Sequence, residues 1–479
     1  MFNPSVLART DVYKLGHMLQ YVPGTNKVYS YMCPRSNKYY NECVFFGLQY
    51  YLKEYLCRPI TIHDKDAFID LHERIVGPVS TDVERKIDSL CKLGYWPIKI
   101  KALPEGTVVP VKNALFTVQT THPDFYWVGG FIESLILKVW YPTTVATNVL
   151  QYRKIVNEWF SKTCDEDQTF LKDWLVHDFG YRSDSSDESA AISGAAHLIH
   201  FNGSDTIPAL RFIDNYYHND KTKLIMGSVP ASEHSTMCSY GPDNEIDAYK
   251  RMFELYKTGI LSIVSDTYDI WRVCTEYLEI LKDTILSRDG KTVIRPDSGN
   301  PPDIICGNPE ASFGTPEFYG VLRLLDQKFG HTVNSKGYKV LNPKIGLIYG
   351  DGMYLERYKN TLQRMADMGY ASQNLVIGVG GILRQGTRDT LSFALKAVHI
   401  EVNGEPRDIL KTPVTDKGKH SHCGYLKVYR NGNGVIVTKD KCSEQEENEG
   451  LLEPVFENGR LLKELTFEQV RENCRNSMA

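Results

Sequence analysis

No stretch of this sequence reaches about 18 consecutive apolar residues, so it encodes no transmembrane helix that can be recognised by composition. The opening residues, Met1 to Thr10, carry no basic segment followed by a long apolar one, and a secretory leader is therefore not expected. The eleven cysteines, an odd number, include no Cys-x-x-Cys pair and no Cys/His spacing suited to zinc. Free thiols in a reducing, cytoplasmic compartment are the expectation. Nor is charge of one sign in excess: 55 Lys and Arg stand against 59 Asp and Glu, a net charge of −4. That balance argues against nucleic acid as the principal partner, while local basic clusters remain able to hold small anions such as phosphates. There is no internal repeat, and Gly378-Val379-Gly380-Gly381 is neither a Walker loop nor a full dinucleotide fingerprint.

What is present is a recurring pattern. The run Lys291-Thr292-Val293-Ile294 breaks into Arg295-Pro296-Asp297-Ser298-Gly299-Asn300-Pro301, a buried strand ending in a rigid, charged turn. Other apolar runs end in the same way. Trp174-Leu175-Val176 meets His177-Asp178-Phe179-Gly180, and Leu224-Ile225-Met226 meets Gly227 to His234. Leu261 to Val264 meets Ser265-Asp266, Ile345 to Tyr349 meets Gly350-Asp351-Gly352, and Leu375-Val376-Ile377 meets Gly378 to Gly381. Helix-like segments lie between them, among them the stripes Ile246, Tyr249, Met252, Phe253, Tyr256 and Leu355, Tyr358, Leu362, Met365. Polar residues at the downstream end of strand after strand predict the active face of a βα barrel.

The flanks read differently. Short β runs fill Trp96 to Thr120, and the β pattern returns beyond Leu395 with Lys396 to Val402 and a hairpin around Asn431-Gly432-Asn433-Gly434. The expected organisation is a β-rich α+β domain split between residues 1–144 and 395–479, with the barrel over 145–394. A first helix is expected from Asp11, capped by Thr10, and a last over Phe467–Cys474; Glu444 to Glu449 reads as a solvated loop. Tyr13, Lys14 and His17 are expected on one helical face, which residue type alone makes a solvated or interface surface. Asp205, in Asn202-Gly203-Ser204-Asp205, is by composition a turn residue, and His234 after Pro230-Ala231-Ser232-Glu233 is by itself a hydrogen-bonded turn residue.

Taken in order, Thr10 to Lys14, His177 to Arg182, Gly203 to Thr206, Val229 to Ser235, Ile294 to Pro301 and Gly350-Asp351-Gly352 closely resemble the nicotinamide phosphoribosyltransferase family across nearly the whole chain. The resemblance implies an α/β fold with an irregular, TIM-like barrel of the type II phosphoribosyltransferase kind. It also implies a homodimer with sites at the subunit boundary, and transfer of the ribosyl group of phosphoribosyl pyrophosphate to nicotinamide. Phe179 and Tyr13 of the partner subunit would sandwich the pyridine ring; Asp205 would accept from the carboxamide nitrogen, with Ser262 near the same amide. Arg182, His234 and Arg295 would face the pyrophosphate, Asp297 with Gly350 the ribose hydroxyls, and Gly350-Asp351 with Gly380-Gly381 the phosphate. Arg388, Lys396, Lys411 and Lys419 match basic positions of the phosphate region, and Arg35 matches another near the pyrophosphate. Magnesium would arrive with the pyrophosphate and its waters, Asp297 and Asp266 stabilising positive charge or organising those waters. ATP would phosphorylate His234 and stimulate the reaction, with Glu233, Asp266 or another carboxylate orienting the ring. Two sister readings stand beside this one: a nicotinate phosphoribosyltransferase and a non-catalytic nucleotide-binding homologue. The chain departs from the family pattern at Ser183-Asp184 and at Val379 and Ile382, and its Arg35–Glu42 segment is short.

Overall fold

The computed structural model describes residues 5–411 and 422–478. They form two compact units, one of Met1–Thr147, Phe212–Asn219 and Gly386–Ala479, the other of Asn148–Arg211 and Asp220–Gln385. No helix among the described residues is long and apolar enough to cross a membrane, and the eleven cysteines are free.

The first unit is built on a seven-stranded antiparallel sheet to which both ends of the chain contribute. Its order is Glu405–Asp408, Ala394–Val402, Thr25–Cys33, Phe116–Thr120, Ile98–Ala102, Glu453–Glu457 and Arg460–Leu461. Residues 212–219 join this unit through a buried carboxylate. Glu105 accepts from the Tyr217 hydroxyl at 2.7 Å and from the Gly47 and Gln49 amides at 2.7 and 2.5 Å, while Gln49 Nε2 donates to the Tyr216 and Leu465 carbonyls. A buried carboxylate is tolerable only when its lone pairs are filled in this manner.

Three expectations for this unit change. Thr10 does not cap the first helix; its hydroxyl donates to the Phe131 carbonyl at 2.6 Å, and a 3-10 helix runs over Val12–Leu19. Lys14 is buried rather than solvated, paired to Glu133 at 2.7 Å, with its Nζ 5.2 Å from the centre of the Tyr13 ring. The acidic segment is not a loop but a helix, Glu444–Asn448, capped by Ser443, with Glu447 buried against Lys101. The last helix extends over Phe467–Met478.

The second unit holds a five-stranded parallel sheet in the order Val176–Asp178, Leu375–Val379, Ile345–Tyr349, Asp289–Arg295, Thr258–Val264. Its central side chains, Ile294, Leu347 and Ile377 among them, are almost wholly buried, as expected of a parallel sheet covered on both faces. Single parallel bridges continue the curve: Asp178 with Ser204, Gly203 with Gly227, and Ala231 with Ser262. They carry the half-barrel round from its first strand to its last as an irregular ring. The segments at 203 and 227 contribute bridges rather than strands, because glycine at each provides no side chain to pack on a pleated surface. Helices Glu245–Leu255, Pro316–Phe329 and Leu355–Asp367 fill the crossovers, burying Tyr249, Phe253, Tyr358, Leu362 and Met365 as the stripes predict; Tyr256, just past the end of the first helix, is exposed instead.

Candidate active site

A cleft of about 560 Å³ opens where the strands of the parallel sheet end, the position at which open and closed parallel sheets place their ligands. Phe179, Arg182, Asp205, Arg295, Asp297, Gly350, Asp351, Gly380 and Gly381 all line it.

Phe179 follows directly on the Val176–Asp178 strand, and its amide donates to the Val379 carbonyl at 3.0 Å. Its ring lies against Gly378: a Cβ there would come within 2.0 Å of Phe179 Cε2. Asp178, just before it, is fully buried. Burial alone would raise its pKa, yet the Arg384 guanidinium holds the carboxyl below the ordinary range. His177, on the same strand, is kept neutral by burial, which pushes its pKa down against the opposing field of Asp205.

Asp205 is exposed to the cleft and accepts from the Ser228 hydroxyl. That bond occupies Oδ1 and fixes the direction in which the other oxygen faces. Ser262 does not line the cleft; its Oγ is buried without a hydrogen-bond partner, while its amide and carbonyl pair with Pro230 and Ser232.

Arg295 closes the Asp289–Arg295 strand, donating through Nη2 to the Ser232 carbonyl at 2.8 Å. Its Nε is buried and unpartnered. Asp297 lies two residues on. Burial raises its pKa; Arg295 and His234 oppose that shift, and the like charges of Asp266 and Asp351 add to it. These carboxylates, the arginine and the histidine therefore share one electrostatic neighbourhood.

His234 begins the short helix His234–Cys238 and is 46% exposed, with Nε2 3.1 Å from Oδ1 of Asp266, itself 5% exposed. Of the carboxylates considered as orienting groups, Asp266 is thus the one bonded to the ring. Glu233 instead caps the helix and accepts from the Ser235 hydroxyl. Among the described residues no three His, Cys, Asp or Glu side chains are grouped to hold a metal ion.

The remaining expected positions lie in the first unit. Tyr13 is 65% exposed and meets His17 edge to face at 5.0 Å. Lys396 is partly buried, and burial followed by the fields of Arg35, Lys411 and Arg388 lowers its pKa, against the opposing field of Glu133. Lys419 lies outside the described residues.

Comparison with known proteins fits this arrangement. Residues 174–460 match the nicotinate phosphoribosyltransferase family and residues 5–71 the nicotinamide phosphoribosyltransferase N-terminal domain. The chain is 39% identical to the nicotinamide phosphoribosyltransferase of Acinetobacter baylyi, over 100% of this chain and 98% of that protein. The chain belongs to the nicotinamide phosphoribosyltransferase family. It is also 39% identical to the Xanthomonas campestris enzyme of that name over 98% of both, and 31% identical to that of Mycoplasma pneumoniae over 87% of this chain and 94% of that one. Two crystal structures share its fold: nicotinate-nucleotide pyrophosphorylase from Pyrococcus furiosus, TM-score 0.61 at 17% identity over 99% of this chain and 97% of that one, and human nicotinic acid phosphoribosyltransferase, TM-score 0.60 at 16% identity over 98% and 93%.

In and beside the cleft, Ser228, Tyr181 and the pair Asp178–Arg384 carry no individual role in the sequence reading. Tyr181 lines the cleft and donates its hydroxyl to Asp187 at 2.9 Å. Ser228 carried a signal, since it follows one of the apolar runs after a single glycine, Gly227; Arg384, in a turn without periodicity, carried none.

Proposed function

We infer that this chain is a nicotinamide phosphoribosyltransferase, forming nicotinamide mononucleotide and pyrophosphate from nicotinamide and phosphoribosyl pyrophosphate. The observation that carries the reading is one cleft holding an aromatic ring, Phe179, an exposed and oriented carboxylate, Asp205, and two arginines, Arg182 and Arg295. Phe179 offers a face for an electron-poor pyridine, and Tyr13 of the partner subunit a second in a homodimer. Asp205 accepts from the carboxamide N–H. Nicotinate would set a carboxylate against it, and two like charges about 4 Å apart repel by ~1–4 kcal/mol, on the order of 5- to 1,000-fold in binding. This favours the amide over the nicotinate reading.

In the transfer the C1′–O bond to pyrophosphate breaks, the leaving group takes the electron pair, and the pyridine nitrogen supplies the pair for the new C1′–N bond. Arg182 and Arg295 stabilise the departing pyrophosphate through paired donors. Asp297, in the cleft lining, serves the ribose as it acquires oxocarbenium character, and Asp266, bonded to His234, adds negative charge beside it. Asp297 and Asp266 would hold a magnesium ion through its waters, and the ion would supply charge neutralisation of the leaving group. Gly350-Asp351 with Gly380-Gly381 admits the 5′-phosphate. ATP stimulates the reaction through His234: with Nε2–H donated to Asp266, Nδ1 keeps the lone pair that attacks the γ-phosphoryl group, forming an N–P bond as the Pγ–O bond to the β-phosphate breaks and ADP leaves with the electron pair. The free cysteines suit a reducing cytoplasm.

The test is nicotinamide mononucleotide formation by purified protein with magnesium, nicotinamide and phosphoribosyl pyrophosphate, with and without ATP. Product without ATP and more with it supports both halves. A folded protein that binds phosphoribosyl pyrophosphate but forms no product is a binding homologue instead.

A further inference from the structure

The second unit contains a buried ionic group that the transfer does not touch. Arg384 ends the turn Gly381–Arg384, directly after the glycines that line the cleft. Its Nη1 and Nη2 donate to the two oxygens of Asp178 at 2.5 and 2.8 Å, and its Nε donates to Asp184 Oδ2 at 3.0 Å. All three side chains are at most 4% exposed. Asp178 and Asp184 stand at the two ends of the segment that carries Phe179, Tyr181, Arg182 and Ser183 to the cleft. One guanidinium therefore holds both ends of one wall while its own backbone ends the other.

The neighbours are shaped to this group. Gly180 makes room for it, since a Cβ there would stand 2.5 Å from Arg384 Cζ. Asp178 also accepts from the Gly180 amide and the Thr206 hydroxyl, each at 2.8 Å, and Asp184 from the Ser193 hydroxyl at 2.9 Å. His197 beside it is buried and its pKa is pushed down to about 4, so it adds no cation and the arginine is the compensating charge. Backbone pairing between the walls includes the Phe179 amide to Val379 carbonyl bond; past it the Arg384 side chain spans them.

We propose that Arg384 is a positioning residue for the transfer reaction: by bridging Asp178 and Asp184 it fixes the aromatic and arginine wall of the cleft relative to its glycine wall, and so sets the spacing between the pyridine and phosphate subsites. The proposal rests on reading the cleft as the site of both substrates. Lysine retains the charge but replaces a planar fork with a single point, which cannot span both carboxylates in that geometry. A reacting pair displaced by a fraction of an ångström to 1 Å loses on the order of 10- to 100-fold in rate or affinity.

The experiment compares wild type with Arg384→Lys and the milder Asp184→Asn, and with Arg364→Lys as control. Arg364 makes an ion pair with Asp303 at 2.7 Å in the same unit, away from the cleft. Backbone hydrogen exchange and steady-state kinetics are read on each folded protein. Expected in both latch variants are faster exchange in residues 179–184 and 379–384 together, and higher KM for both substrates with a smaller change in kcat. The control is expected to lower thermal stability without changing either KM. Faster exchange spread over the whole unit, or unchanged KM values in both latch variants, overturns the proposal. A wild type that forms no product overturns the functional reading instead, and the exchange pattern still decides whether Arg384 holds the two walls together.

Discussion

Gly378 holds the ring of Phe179 in the cleft by having no side chain: a Cβ on Gly378 would come within 2.0 Å of Phe179 Cε2 and 2.1 Å of Cδ2. No real Cβ contact is that short, so either the ring or the strand must move. Gly378→Ala is expected to raise KM for nicotinamide by on the order of 10-fold or more through displacement of the ring. Steady-state kinetics on the folded variant checks this, and an unchanged KM would mean that the ring is not a ligand surface.

The Asp205 carboxylate, fixed by the Ser228 hydroxyl, is the proposed discriminator between amide and acid. Replacing it by serine removes the repulsion of nicotinate and one acceptor for the amide. The nicotinamide-to-nicotinate ratio of kcat/KM is expected to fall by about 5- to 1,000-fold. Ser228→Ala should lower the same ratio less, because the charge remains while its orientation loosens.

His234 and Asp266 predict a separation of two activities. His234→Ala is expected to keep transfer without ATP and to lose both stimulation by ATP and ATP consumption. Asp266→Asn, which removes the charge orienting the ring, should slow ATP consumption by about 100-fold. Equal ATP stimulation in wild type and His234→Ala would contradict the assignment.

Asp297 gives a pH dependence with a definite sign. Burial raises its pKa, with Asp266 and Asp351 adding and Arg295 and His234 opposing. If the ionised form serves the reaction, the acid limb of kcat/KM lies above the ordinary aspartate value of about 3.9. Asp351→Asn removes a like charge and should move that limb to lower pH. A raised folded pKa also contributes stability that is present below the unfolded value and lost as pH rises through the folded one. Asp297→Asn should therefore raise the thermal midpoint at neutral pH and not in acid.

Much of this architecture is legible in the sequence because short parallel strands advertise themselves. Ile294, Ile263 and Ile377 sit in apolar runs that end abruptly in Asp, Arg or Gly, and the cleft lies at those endings. Partners distant along the chain were not legible. Glu447 looked like part of a solvated acidic loop until Lys101, 346 positions away, came beside it. Residues 212–219 leave the second unit because Tyr217 finds Glu105, which no local pattern records. Arg384 reaches Asp178 across 206 positions, and its neighbours gave only the weak signal of a glycine pair. The cleft residues Phe179, Arg295 and Asp297 were readable because each follows or closes an apolar run, whereas Asp205 reads as a turn residue by pattern and was marked only by the family resemblance, and Ser262, on the strand itself, stays outside the cleft lining.

The most direct measurement is a competition: purified protein, magnesium and phosphoribosyl pyrophosphate with nicotinamide and nicotinate at equal concentration, the two mononucleotide products being separated and counted. The site predicts nicotinamide mononucleotide in excess by about 5-fold or more, the repulsion at Asp205 setting that floor. Equal products, or an excess of nicotinate mononucleotide, would contradict it.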